Sequence, residues 1–165
     1  LGSLAAPLKK IPRYQFAKPV APSRLRSIYR QAQQRFGVPW YVLAAVNFVE
    51  SKFGRILGPS SSGALGPMQF LPLTFAAYGR GDINNARDSI LAAARYLHAS
   101  GAPQRMRKAL FAYNRAGAYV NAILRYGRRM HRHPWSFWVY YEYQVFVSTT
   151  QGTVRLTGPG TAHPD

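Results

Sequence analysis

Apolar positions along this chain fall into short runs of helical period, punctuated by Gly, Pro and Asn. Between Ser23 and Phe36 the residues Leu25, Ile28, Tyr29, Ala32 and Phe36 follow the i, i+3, i+4 spacing of one buried stripe, with Ser23 as the expected cap and Gly37 as the stop. The next run, Pro39 to Glu50, is apolar nearly all round, and Asn47 is its only clearly polar interior residue. A helix without a polar face belongs at the centre of a bundle rather than on its surface. Residues 54–69 are rich in Gly, Ser and Pro and lose the period, which predicts a long loop or a small irregular β region of the kind that carries function. Helical patterns then resume. A short one runs from Pro72 to Tyr78 and ends at Gly79, and a second is opened by Asn85 with Asp88 as a capping box, runs through Ala99 and is closed by Gly101. Two more cover Pro103–Tyr113, with Met106, Leu110 and Tyr113, and Ala118–Met130, with Val120, Ile123, Leu124 and Tyr126.

The pattern changes after Pro134. Trp138 to Val147 is dense in aromatic and β-branched residues, and Gln151-Gly152 precedes the alternating Val154-Arg155-Leu156, so a terminal β-hairpin is expected. At the other end, Leu1 to Pro22 mixes Pro, Lys and scattered apolar residues without period and reads as an extended arm. The organisation expected is therefore an arm at 1–22, a helical domain at 23–133, an aromatic hairpin at 134–157 packed on that domain, and a disordered tail at 158–165. The fold class is mainly α, a helical bundle around a buried central helix with a small C-terminal β-hairpin.

Composition narrows the chemistry. With 165 residues and 47% hydrophobic content, one substantial core can form and a second full domain is not expected. No run of eighteen apolar residues could span a bilayer and the first twenty residues hold no apolar run of signal-peptide length, so the chain as given is expected to be soluble, with a removed signal or anchor left open; a monomer is expected. The absence of cysteine removes disulfides, thiolate metal sites and a cysteine nucleophile. His98, His131, His133 and His163 have no ligand-like spacing with acidic residues, which argues against a metal. Against 22 Lys and Arg stand only 5 Asp and Glu, a formal charge of +17 that favours polyanionic partners. The densest basic stretch, Arg125 to His133, reads as a solvated helix end that could also attract anionic polymers. No nucleic-acid motif accompanies the charge.

Five acids can be weighed one by one. Asp165 is terminal, Asp88 has a capping role, Asp82 in Gly81-Asp82-Ile83-Asn84 suits a turn, and Glu142 falls in the aromatic strand, on its solvated edge. Glu50 differs, because it ends an apolar helix at the mouth of the Gly/Ser-rich loop and shares a face with Leu43, Val46 and Asn47. Partial desolvation there would raise its pKa and hold a proton near neutral pH, the property a general acid needs. Position alone leaves the alternative that Glu50 points to water or pairs with Lys52 or Arg55.

Four segments in order break the tie: Glu50-Ser51 at a helix end, Gly63-Ala64-Leu65-Gly66-Pro67-Met68-Gln69, the helix Ala92-Ala93-Ala94-Arg95-Tyr96-Leu97, and Ala112-Tyr113-Asn114. Together they resemble the soluble lytic transglycosylase domain, related to goose-type lysozymes, over about Ser23 to Arg129. The spacing of Tyr113-Asn114 from Tyr119-Val120 is also similar to the membrane-bound type B branch. Pro67 stands where the family commonly has Leu, and Arg115 where a small residue is frequent.

The resemblance implies a lysozyme-like α+β domain that cleaves the bond between N-acetylmuramic acid and N-acetylglucosamine in peptidoglycan. It implies Glu50 as the sole catalytic carboxylate, acid first and base second, yielding a 1,6-anhydro product without cofactor or water. It also implies Ser51 near the cleaved bond, Gln69 on the sugar chain or the cleft wall, Tyr113 orienting Glu50, Asn114 facing the glycan, and Tyr119 lining the same cleft. Glycan strands, and anionic wall polymers after them, are the implied partners, and an extracytoplasmic location follows from that substrate. An ordinary inverting hydrolase would need a second carboxylate roughly 6.5–9.5 Å away. A hydrolytic muramidase and a noncatalytic wall-binding protein are the alternatives.

Overall fold

The computed structural model describes residues 15–143 and 145–157. Strand β1 (Gln15–Phe16) leads into helix α1 (Pro22–Phe36), α2 (Trp40–Ser51) and strand β2 (Ile56–Gly58). Helices α3 (Pro72–Tyr78), α4 (Ala86–Ala99), α5 (Met106–Tyr113), α6 (Gly117–Arg132) and α7 (Ser136–Tyr141) follow, and strands β3 (Val145–Thr149) and β4 (Gly152–Thr157) close the described chain. The architecture is the expected mainly α-helical bundle with a small β-hairpin, consistent with a lysozyme-like α+β fold. Among the described residues no helix is long and apolar enough to cross a membrane.

Helix α2 is the axis of the bundle, contacting α1, α4, α6, α7 and β2. Seven consecutive residues, Val42 to Phe48, are buried. Each large apolar side chain in that run contributes roughly 1.5–3 kcal/mol by leaving water. An all-round apolar sequence thus finds partners on every side, as its lack of a polar face requires. Helices α1, α4 and α6 are amphipathic, and each turns one stripe toward the shared core: Leu25, Ile28, Tyr29 and Ala32 from α1, Ile90, Ala93, Ala94 and Leu97 from α4, Val120, Ile123 and Met130 from α6.

Several boundaries differ from expectation for identifiable reasons. Ser23 does not cap α1; the helix starts at Pro22 after Ala21, because proline's fixed φ already suits the first helical position. Asn85 does cap α4, its side chain accepting from the amides of Arg87 and Asp88, but Asp88 reaches the amide of Asp82 instead of returning to Asn85. Helix α5 begins at Met106, after a turn over the residues from Pro103. The 54–69 stretch is the small irregular β region: β2 pairs antiparallel with β1, and Leu65 bridges Phe70. The pairing puts Gln15 and Phe16, inside the expected arm, in register with Gly58 and Ile56.

The largest departure lies after Pro134. The first part of the segment expected as strand is α7, and β3 starts only at Val145. The aromatic residues favour a strand locally, but Phe137 and Tyr141 are four apart and bury together on one helix face. Phe137 is fully buried, with its ring 5.3 Å from Phe53 and 6.2 Å from Tyr29. Glu142 accordingly sits at the end of a helix rather than on a strand edge. The hairpin β3–β4 is present, with Phe146 and Val154 exposed. The expected tail at 158–165 and the first fourteen residues of the arm lie outside the described residues. Phe137→Ala is expected to lower unfolding stability by about 3–5 kcal/mol through the cavity it leaves, read from denaturant titration.

Candidate active site

Glu50 occupies the last turn of α2, half-buried, where the chain leaves the core. Burial raises its carboxyl from 4.5 to about 7, while the Tyr119 hydroxyl and the Lys52 ammonium pull weakly the other way. The negative end of the helix dipole at this C-terminal turn acts in the same direction as burial. The carboxyl therefore keeps its proton in about half of the molecules at pH 7 and in most of them below that, a population a proton donor can draw on.

Three tyrosine and lysine groups surround it. Tyr119, 9% exposed near the start of α6, directs its hydroxyl at the carboxyl, and that hydroxyl has no full hydrogen bond to any described residue. Burial and the neighbouring Glu50 push its phenol well above the usual range, so it remains a donor. Tyr113, at the end of α5, is also raised by burial and by Glu50, but it donates its hydroxyl to the Met68 carbonyl at 2.7 Å. Lys52 adopts a left-handed conformation just beyond α2, with its ammonium 3.3 Å from the Phe48 carbonyl and 4.5 Å from the Phe48 ring. Burial lowers its pKa and Glu50 raises it. Arg55, the other candidate partner for Glu50, turns away: its guanidinium lies 4.5 Å from the Tyr141 ring and donates to the Lys52 carbonyl.

A buried polar hub behind the carboxyl holds the loop in place. The fully buried Asn47 accepts from the Tyr29 hydroxyl at 2.6 Å and donates to the Pro67 carbonyl at 2.8 Å. Ser51, one turn on, also donates to the Pro67 carbonyl and accepts from the Gly54 amide at 2.8 Å. Proline at 67 costs this arrangement nothing, because the loop is held by its carbonyl and not by an amide proton. Ser51 is only 1% exposed and its hydroxyl is fully engaged. In this structure the Ser51 hydroxyl braces the loop, enclosed and with its hydrogen bonds taken by Pro67 and Gly54. Asn47 was missed as a site residue, although its solitary polarity in an apolar helix was the available signal; Tyr29 gave none, its hydroxyl being invisible in a helical stripe.

The loop delivers Gln69 to the surface of the site. Gln69 has φ of +51° and donates its side-chain amide to the Gly66 carbonyl at 3.0 Å. Gly66 has φ of +76°, and a β-carbon there would overlap the Ile83 carbonyl, so the turn needs glycine. Gln69, Phe70, Thr74, Tyr96 and Tyr113 line a cavity on this side of α4 and α5. Tyr96 and Tyr113 meet edge-on at 5.5 Å, and Tyr96 donates its hydroxyl to the Ala112 carbonyl. Asn114 follows Tyr113 at the end of α5 and is exposed. Glu50, Tyr113 and Tyr119 are thus brought together, Gln69 shares the adjoining cavity with Tyr113, Asn114 is exposed after α5, and Ser51 lies in the buried hub. The remaining described acids are committed elsewhere: the Asp82 side chain accepts from the Asn84 amide, Asp88 accepts from the Asp82 amide, and Glu142 is exposed after α7. Among the described residues no three acidic or histidine side chains converge as a metal site.

Comparison with known proteins places the chain in a family. The family model described as the transglycosylase SLT domain matches residues 27–133, more than half of the chain. The chain is 36% identical over 104 residues to a protein of Thiobacillus denitrificans named membrane-bound lytic murein transglycosylase F. That match covers 58% of this chain and 22% of the relative, so the chain spans less than a quarter of the relative's length. No solved structure gave a significant match.

Because the folded Glu50 pKa lies above its unfolded value, its stabilising contribution is complete below about pH 4.5 and is lost as pH rises through about 7. Glu50→Gln removes that dependence. The variant is expected to gain stability over the parent by at most about 3 kcal/mol at pH 8, with the gain shrinking toward pH 4.5, as read from urea unfolding at both pH values.

Proposed function

We propose, since this chain belongs to the transglycosylase SLT domain family, that it cleaves peptidoglycan glycan strands as a lytic transglycosylase, with Glu50 as acid and then base. The observation that carries this reading is a single half-buried carboxyl holding its proton to about pH 7 among tyrosine hydroxyls, while the other described acids serve turns and helix ends.

In the proposed reaction Glu50 gives its proton to the oxygen bridging N-acetylmuramic acid and N-acetylglucosamine as the muramyl C1–O bond breaks, and the glucosamine side departs as an alcohol. The carboxylate left behind is stabilised by the Lys52 ammonium and by the Tyr119 hydroxyl. It then takes the proton of the muramyl C6 hydroxyl, whose oxygen closes on C1 to form the 1,6-anhydro ring. Glu50 ends protonated and no water is consumed. A substrate that carries its own nucleophile needs one protein carboxylate instead of the usual two. Gln69, Asn114 and the tyrosine-lined cavity are assigned to the glycan, since amides pair with sugar substituents and aromatic faces pack on sugar rings. Residues 23–133 would form the catalytic unit, with α7 and the hairpin as an addition to it. The substrate implies an extracytoplasmic site of action.

Mass spectrometry of digested peptidoglycan is expected to find anhydromuramic ends; muramic acid with a free reducing end would instead identify a hydrolase. Glu50→Gln should lower turnover by about 10²–10⁴-fold while sedimentation with peptidoglycan persists, and unchanged turnover would remove Glu50 from the reaction. The parent kcat/KM should fall about tenfold per pH unit above pH 7 as the acid loses its proton. Tyr119→Phe deletes a group that favours the charged carboxyl, so its alkaline limb should move to higher pH, a change that loss of packing alone would not produce.

A further inference from the structure

A pocket separate from the glutamine-lined cavity is formed by Arg35, Arg80, Arg87, Asp88, Leu91 and Arg95. It shares no lining residue with the candidate active site. The four guanidiniums come from three places in the fold. Arg35 lies in the last turn of α1, Arg80 in the turn after α3, and Arg87 and Arg95 on one face of α4, two turns apart. Asp88 is the only carboxylate among the lining residues, and one of its oxygens accepts from the Asp82 amide.

The cluster is held in shape rather than left to spread. Arg95 donates to the Tyr78 carbonyl, and Arg87 donates to the Gln31 side chain at 3.2 Å. Arg35 and Arg95 both lie against the Phe36 ring, at 5.5 and 5.3 Å. The turn that carries Arg80 is fixed by Asp88: a β-carbon at Gly81 would overlap its carboxylate, and its bond to Asp82 pins the following residue. Burial and the like charges of Arg80 and Arg35 together lower the Arg95 pKa, so the pocket concentrates positive charge it does not itself neutralise. Folding that gathers four cations around one carboxylate is relieved by an anion, and planar guanidiniums present paired N–H donors that fit tetrahedral oxyanions.

We propose that this pocket is a binding site for a phosphate oxyanion, sharing no residue with the candidate active site around Glu50. Four guanidiniums against one engaged carboxylate suit the charge of phosphate, either as the free ion or as one unit of a polymer phosphodiester. In the second case the site would tether the protein to an anionic polymer through residues the reaction at Glu50 does not use. The proposal rests on this pocket alone and stands or falls independently of the reaction at Glu50.

The test is titration calorimetry of the whole protein at constant ionic strength with two probes, inorganic phosphate and poly(glycerol phosphate). Saturable binding of either is expected, and the tighter probe identifies the source. Arg35→Gln/Arg80→Gln, at two exposed positions, should weaken binding at least tenfold. Arg80→Lys keeps the charge but loses the fork, and should also bind more weakly. Arg125→Gln/Arg132→Gln, in the basic end of α6, should bind as the parent does. No saturable binding, parental affinity in Arg35→Gln/Arg80→Gln or in Arg80→Lys, or equal loss in the α6 variant would overturn the site in favour of diffuse charge attraction. Turnover of phosphate-free glycan, measured alongside, should be unchanged in Arg35→Gln/Arg80→Gln.

Discussion

The Pro67 carbonyl is the point on which the site depends. Asn47 and Ser51, one helical turn apart on α2, both donate to it from fully enclosed positions. Hydrogen bonds in such surroundings stabilise modestly when made and cost much more when one partner is lost, because the stranded group has no water to turn to. The loop after α2 is therefore locked to the helix that carries Glu50. The Tyr29 hydroxyl extends the hub to α1, and the Tyr113 hydroxyl ties the next loop residue, Met68, to α5. Three helices thus converge on residues 67–69, and the position of Gln69 relative to Glu50 is set by side-chain bonds rather than by a sheet.

That arrangement reconciles two demands that usually conflict. A proton donor at neutral pH needs a carboxyl kept from water, yet an isolated buried carboxyl is costly once charged. Here the cost is limited by partial exposure and by two groups that favour the anion without pairing with it fully, Lys52 and Tyr119. A close ion pair with Lys52 would have pulled the carboxyl down toward its ordinary range. Instead the ammonium is drawn toward the Phe48 carbonyl and ring, leaving its field but not its contact at Glu50. The left-handed backbone at Lys52 and Phe53, where the chain turns off the helix, is the local strain that accompanies this placement.

The strong basic charge has a structure of its own. It is distributed over separate groups, of which the end of α6 is one and the pocket between α1, α3 and α4 is another. In the α6 group the arginines follow each other along one helix terminus, where they also complement its dipole. In the pocket they arrive from distant parts of the sequence, Arg87 and Arg95 held by hydrogen bonds and Arg35 and Arg95 by the Phe36 ring, so no run of charge along the chain marks this group.

What the chain determined by itself was periodic or solitary. The apolar stripe of α1, the all-round apolar α2, the Asn85 cap and the one acid placed at the end of a buried helix are local facts; the mainly helical class followed from them, while Glu50 became a candidate by position and was preferred only through the ordered segments shared with the transglycosylase domain. Tertiary structure decided whatever depends on a partner far away in sequence. It turned the aromatic residues after Pro134 into α7, because a core pocket beside Tyr29 and Phe53 rewards the four-residue spacing of Phe137 and Tyr141 over strand preference. It set Ser51 in the buried hub and drew Tyr113 to a carbonyl and Tyr119 to the acid, since a hydroxyl's partner is chosen by three-dimensional proximity that no spacing along the chain encodes.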